Sequence, residues 1–229
     1  MADFVSKALA KSITIIRLVT GKELKKSAMP WSLFDPRGRR KYLVPRERWA
    51  FLRTALGIGG AVATFCAVLA FSGARISEAL ALTPENIDDE NGAINFETLK
   101  RRQRGIIRAV PVPRNLFTLL NAVHGYRDAR RDPVQACERL WPWSRTTAWR
   151  RVKEVMLSAR LPDNVAMPKA LRHAFGAGAT LESVSPTLIQ RWMGHARIET
   201  TLIYTSLIGK EERSLARMTW RGASSKFRR

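Results

Sequence analysis

KALRHAFGAGATLESVSPTLIQRWMGHARIETTLIYT, residues 169–205, is the stretch on which the fold is decided. Its apolar spacing predicts a helix over 169–181 and a second over 186–193. Carried on and after these helices are side chains able to do chemistry: Lys169, Arg172, His173, His195 and Tyr204. His195 stands 23 positions after Arg172, and Tyr204 nine after His195, with Thr200 and Thr201 ahead of the tyrosine. Gly194 permits a tight approach of the chain just before His195.

Upstream, the chain reads as further helices interrupted by one small sheet. Residues 46–56 predict a helix, and Gly57 to Gly60 break it. The apolar run GAVATFCAVLAF (60–71) predicts a buried helix, because twelve residues are too few to span a bilayer. Ile76, Ala79 and Leu80 continue the helical spacing after Ser72-Gly73. Ile87, Ile94 and Phe96 flank the turn signal Asn91-Gly92, and 106–112 form another extended run, so a small antiparallel sheet is expected. The turn of that sheet carries TLKRRQRG, with Lys100, Arg101, Arg102 and Arg104 crowded together. Helices follow over 115–123 and from Ser144 or Thr146 to about 159. The latter is expected to set Trp149, Val152 and Met156 on one face, with Arg150, Arg151 and Lys153 elsewhere. The fold class is therefore mainly α with a small antiparallel β-sheet.

Charge narrows the partner. Forty Lys plus Arg against nineteen Asp plus Glu give a formal charge of +21, far beyond what solubility needs, which implies a polyanion. Nucleic acid fits better than a membrane surface, since the basic residues are spread along the whole chain rather than along one amphipathic helix. The first 22 residues place basic side chains within their apolar stretch and offer no cleavage site, a poor secretory signal. Cys66 and Cys137 have neither metal-ligand spacing nor a disulfide framework, and both read as inert fillers. A cytoplasmic protein associated with nucleic acid, with no membrane partner, is expected.

Three blocks in order resemble the tyrosine recombinase, or phage integrase, family. SGARISEALALTPENID (72–88) is similar to its Gly-x-Arg-x-x-Glu helix. TLKRRQRGIIRAVPVP (98–113) is similar to the β-hairpin bearing its lysine. The 169–205 stretch is similar to its His-x-x-Arg, Leu-Gly-His and Thr-Thr-x-x-Tyr elements. The resemblance implies a site-specific recombinase that cuts and rejoins DNA through a 3′-phosphotyrosyl bond, for integration, excision, inversion or resolution. It implies a catalytic set of Arg75, Lys100, Lys169, Arg172, His195 and the nucleophile Tyr204. Glu78 is then expected to orient Arg75 or pack locally, and His173 to support the site structurally. Arg101, Arg102, Arg104, Arg145, Arg150, Arg151 and Lys153 are expected on DNA.

The residue types suit the reaction. A phosphodiester gathers negative charge in its pentacoordinate transition state, and guanidinium forks at Arg75 and Arg172 can each grip two oxygens without losing charge. A phenol with a reference pKa of about 10 needs nearby cations or a base to attack at neutral pH. Lys100, beside other cations, suits protonation of the leaving 5′ oxygen. The chain departs from the family pattern in two places. Lys169 stands where a histidine is usual, which leaves the route of the Tyr204 proton open, and Glu182-Ser183-Val184 replaces a customary glycine.

Transesterification conserves the phosphodiester bond energy, so no metal, nucleotide or other cofactor is expected. The resemblance further implies double-stranded DNA as partner, a synaptic homotetramer, and accessory DNA-bending proteins. Three regions are expected: a basic N-terminal arm (1–42), a catalytic domain (43–205), and a C-terminal tail helix with a basic end (206–229). Leu207, Ile208, Leu215, Met218 and Trp220 lie at helical spacing in that tail, which docks on a neighbouring protomer or folds back in cis. Two rivals share these residues: a binding protein that no longer cuts, and a type IB topoisomerase.

Overall fold

A computed structural model describes residues 32–98 and 105–207. The expectations placed on the arm up to residue 31, on Lys100, Arg101, Arg102 and Arg104, and on the tail from 208 lie outside the described residues. The described residues from Leu33 onward belong to one compact unit. Residues 33–42, read with the arm above, are tied into it: Leu33 is buried, Arg40 pairs with Glu47, and the Asn164 amide donates to the Arg40 carbonyl.

Helix α1 (Pro45–Ile58) starts with proline, whose fixed φ and missing N–H suit the first helical position, and Glu47 reaches back to accept from the Val44 N–H. Gly59, at φ 77°, breaks it from α2 (Gly60–Ser72). Ala63 to Ala70 of α2 are buried without interruption, as the apolar run requires of a helix packed on all sides. The helix packs against α1 and also meets α4 (Arg114–His124), α7 (Arg145–Ser158) and α8 (Pro168–Leu181). Gly73 ends it in the left-handed region at φ 63°, where an added Cβ would lie 2.6 Å from the Phe175 ring.

After α3 (Ile76–Leu80) and a 3₁₀ turn at Pro84–Asn86 comes the expected sheet. Strands β1 (Ile87–Asp88), β2 (Ala93–Glu97) and β3 (Ile107–Pro111) pair antiparallel in that order, with Ile94 opposite both Ile87 and Val110. Gly92, at φ 69°, makes the first turn. Short helices α5 (Tyr126–Ala129) and α6 (Pro133–Ala136) lead to Trp141, whose indole N–H donates to the Ala61 carbonyl of α2.

Ser144 caps α7 by accepting from the Thr147 N–H. The expected face of α7 is buried only in part. Ala148, Val152, Val155 and Met156 are buried, whereas Trp149 is 45% exposed. At about 100° per residue the tryptophan falls just past Met156, on the rim of the buried sector. Cys66 is a core residue, but Cys137 is exposed and fills nothing.

Helices α8, α9 (Pro186–Met193) and α10 (Glu199–Leu202), with a 3₁₀ turn at Ile203–Ser206, complete the described chain. A large apolar cluster gathers around α2, and a smaller one joins Leu33, Ala177, Ile189, Met193, Tyr204 and Leu207. Phe175 on α8 packs against both. Among the described residues no helix is long and apolar enough to cross a membrane.

Candidate active site

Helix α8 connects two unlike environments through two adjacent residues, Arg172 and His173. On one side is Glu78, whose side chain is 1% exposed. Placed at the third position of α3, its carboxylate accepts from the Arg75 N–H at 2.8 Å, so the same group caps the helix and binds side chains. Its two oxygens receive Arg75 Nη1 at 2.5 Å and Arg108 Nη2 at 2.7 Å, and Arg172 Nη1 lies 3.9 Å away. Burial pushes the Glu78 carboxyl upward, but Arg108, Arg75 and Arg172 together outweigh it and hold the group below the usual carboxylate range.

Arg172 is fixed by backbone. Its Nη1 donates to the Gly73 carbonyl at 2.7 Å and its Nη2 to the Met193 carbonyl at 2.5 Å. These carbonyls end α2 and α9, where the partial negative charge of the helix terminus favours a cation. Burial and the neighbouring Arg75 draw the guanidinium down to about 9, so it keeps its charge at neutral pH. Arg75, by contrast, is 28% exposed and can offer donors outward while Glu78 grips its Nη1.

His195 lies in the bend after α9. Gly194 there adopts φ 63°, and a Cβ on it would come within 3.2 Å of the Arg108 guanidinium, which gives the expected tight approach its physical basis. The His195 Nδ1 sits 2.8 Å from the Thr201 hydroxyl. Burial, then Arg172 and Arg75, lower the ring to about 3, so it is neutral at physiological pH.

Tyr204 is 1% exposed and rests on Gly176 of α8, where an added Cβ would lie 2.5 Å from the phenol Cζ. Its hydroxyl is 3.1 Å from His173 Nδ1. Burial pushes the phenol up to about 12, against a lowering by Arg172. The expectation that surrounding cations ease its ionisation is therefore outweighed by desolvation. His173, expected as a structural residue behind the site, instead contacts the hydroxyl. Burial, with Lys169, Arg172 and Lys41, lowers it to about 4.

The structure thus assembles Arg75, Glu78, Arg172, His173, His195 and Tyr204 from α3, α8, the bend after α9 and the final 3₁₀ turn. Lys169 is exposed in the first turn of α8, close enough for its charge to act on His173. The expected DNA contacts of α7 diverge. Arg145, Arg150 and Arg151 are exposed, Arg151 with Glu154 at 3.4 Å, but Lys153 donates inward to the Ala166 carbonyl at 2.7 Å.

Arg108 was not anticipated from sequence. It is 4% exposed and ties β3 to Glu78, to the Trp192 carbonyl at 2.9 Å, and to the Thr98 hydroxyl at 3.2 Å, with Phe96 beneath its guanidinium. The signal lies in the β3 alternation: Ile107, Ala109 and Pro111 face out, while Arg108 shares the inward parity of Val110. An arginine at a core position of a strand requires a buried acid.

With this geometry in place, comparison with known proteins is decisive. The phage integrase family model matches residues 61–210, a span that contains every residue of the cluster. The chain belongs to the phage integrase family. Tyrosine recombinase XerA of Pyrococcus furiosus is 30% identical over 148 residues, covering 61% of this chain and 48% of that protein. The chain spans about half the length of the curated relatives it matches. Among solved structures, XerH site-specific recombinase on palindromic difH substrate aligns with TM-score 0.64 and 23% identity, over 79% of this chain and 53% of that one. The catalytic domain of bacteriophage HP1 integrase aligns with TM-score 0.56 and 21% identity, over 80% and 96% respectively. These two likenesses establish the integrase catalytic-domain fold.

Proposed function

We propose that the protein is a site-specific DNA recombinase in which Tyr204 attacks a backbone phosphate, forming a 3′-phosphotyrosyl bond and freeing a 5′ hydroxyl. The observation that carries this reading is the pairing on α8: Arg172 is anchored beside Glu78 and Arg75, and the very next residue holds the Tyr204 hydroxyl. In this reading Arg75 and Arg172 bind the non-bridging oxygens, where transition-state charge accumulates. The Thr201 hydroxyl lies 2.8 Å from His195 Nδ1; with that hydroxyl as donor, the proton of the neutral ring sits on Nε2 and His195 can donate a hydrogen bond to the phosphate. Lys100 protonates the leaving 5′ oxygen, and Lys169 adds positive charge at the rim of the site. Glu78 and Arg108 position Arg75 without touching substrate.

Phosphotyrosine formation exchanges one phosphodiester for another, so the chemistry needs neither ATP nor a metal ion. The partners in this reading are double-stranded DNA, further copies of the chain in a synaptic tetramer, and accessory bending proteins. Arg145, Arg150 and Arg151 supply sequence-independent phosphate contacts together with Arg101, Arg102 and Arg104. The basic arm adds to them, and the tail beyond residue 205 serves assembly.

The test is a suicide substrate: nicked duplexes drawn from sequence flanking the gene, incubated with wild type and with Tyr204→Phe, in the presence of a metal chelator. The expected result is a slow-migrating covalent band on a denaturing gel with wild type alone. DNA retention in a native gel with no covalent species on any flanking duplex would leave a binding protein. Relaxation of plasmids lacking any such site would favour a topoisomerase.

A further inference from the structure

Tyr204 must lose its proton as it attacks, and the cations of the site cannot accept one. An acceptor touching its hydroxyl lies on α8. Where the resemblance leads one to expect histidine, α8 carries Lys169; one turn later, at the i+4 position on the same face, stands His173. Its Nδ1 lies 3.1 Å from the Tyr204 hydroxyl, within the reach required of a general base. Gly176 keeps this arrangement in place, because the phenol ring occupies the space a Cβ would take. The His173 ring faces Lys169 and Arg172 from α8 and Lys41 from the segment before α1, and His195 is close enough to feel its charge.

We propose that His173 is the general base for Tyr204, replacing the histidine that Lys169 displaces. The inference rests on the strand-transfer reading above. As the Tyr204 Oη–P bond forms and the P–O5′ bond breaks, the phenolic proton passes to His173 Nδ1. The electron pair of the broken bond stays on O5′, which takes its proton from Lys100. On religation both protons return. Burial and the surrounding cations keep His173 neutral near pH 7, so its Nδ1 lone pair is free in the Nε2–H tautomer. The same cations limit its basicity, which makes the transfer concerted with attack.

The experiment compares single-turnover cleavage by wild type and His173→Asn from pH 6 to 10. Each is given an ordinary nicked substrate and one with a 5′-bridging sulfur, whose thiolate leaves without an acid. The asparagine can accept the hydrogen bond but cannot hold the proton. The expected result is a loss of about 100-fold or more at neutral pH on both substrates. The loss should shrink as rising pH ionises Tyr204 directly. Cleavage within a few-fold of wild type, a loss independent of pH, or a loss repaired by the bridging sulfur would each overturn the assignment. The last outcome would move His173 to the leaving-group side. If wild type itself gives no adduct, the strand-transfer reading falls and takes this inference with it. Should His173→Asn not fold, ¹⁵N resonances of the wild-type ring decide: a protonated Nδ1 at pH 7 overturns the proposal, and an unprotonated, hydrogen-bonded Nδ1 supports it.

Discussion

The two halves of the site are built on opposite principles. Around Glu78, three guanidiniums converge on one carboxylate whose side chain is 1% exposed, and every group is held by charge and directed hydrogen bonds. Around Tyr204, the polar contact to His173 sits in an apolar setting of Ala177, Ile189, Met193 and Leu207, and shape does the holding. In the proposed strand-transfer reading, a cation that meets a phosphate needs a fixed direction and a partner that leaves some donors free, whereas a nucleophile that moves toward phosphorus needs a pocket that orients the ring without locking its oxygen. The difference predicts that the charged half is intolerant of losing one member, whereas the phenol half is intolerant of added volume.

Removing the acid breaks the charged half most severely. Glu78→Ala leaves Arg108 buried without its anion and should cost about 3–5 kcal/mol of stability, read by thermal or urea unfolding. A loss below about 1 kcal/mol would mean that the arginines do not depend on the carboxylate.

Acid should also separate folded from unfolded chains. Histidine in an unfolded chain takes a proton near pH 6.5. His173 and His195 stay neutral in the folded protein down to about 4 and about 3, and burial lowers His124 as well. Below pH 6.5 the unfolded state therefore binds more protons, and the stability present above that value is lost as pH falls. Urea midpoints between pH 7.5 and 5 should decline, with a limiting slope of about 1.4 kcal/mol per pH unit for each ring. A flat profile would show that the rings are solvated.

Volume tests the other half. Gly176→Ala should cost about 1–3 kcal/mol through the clash with the Tyr204 ring. On the same helix, Gly178→Ala meets only Arg48 Nη1 at 3.7 Å and should gain up to about 1 kcal/mol from helix propensity. Equal effects at the two glycines would remove the argument for a shaped pocket. Tyr204→Phe, losing the hydrogen bond to His173, should lower stability by no more than about 1.5 kcal/mol while abolishing the covalent adduct. The smallest effect concerns the turn after α8, where Ser183 adopts φ 61°. Ser183→Gly relieves that conformation at the cost of a freer unfolded chain, a net gain below about 1 kcal/mol in the urea midpoint.

Much of this is legible in the sequence itself. The 60–71 run became α2 because uninterrupted apolarity at helix length permits little else, and Asn91-Gly92 marked the β1–β2 turn because its backbone needs a positive φ. Arg75, Arg172, His195 and Tyr204 were named from motif order, and they meet because α3, α8 and the α9 bend converge. Less legible were contacts set by tertiary distance. Arg108 lies 30 residues from Glu78 and 84 from Trp192, and only the strand alternation hinted that it points inward. His173 reads as a structural support of the site because nothing in a linear string shows that Tyr204, 31 positions later, folds back onto it. Trp149 shares the face of Val152 and Met156 yet sits at its rim, where about 20° of helix rotation separates buried from exposed.

The most direct test of the central claim is to find the residue that carries the DNA. The covalent adduct would be trapped on a nicked substrate, trimmed with nuclease, digested with trypsin, and read by mass spectrometry. The account predicts a nucleotide mass on IETTLIYTSLIGK, residues 198–210, localised to Tyr204, the sole tyrosine of that peptide. A nucleotide on Tyr42, on Tyr126 or on any residue outside that peptide would contradict it.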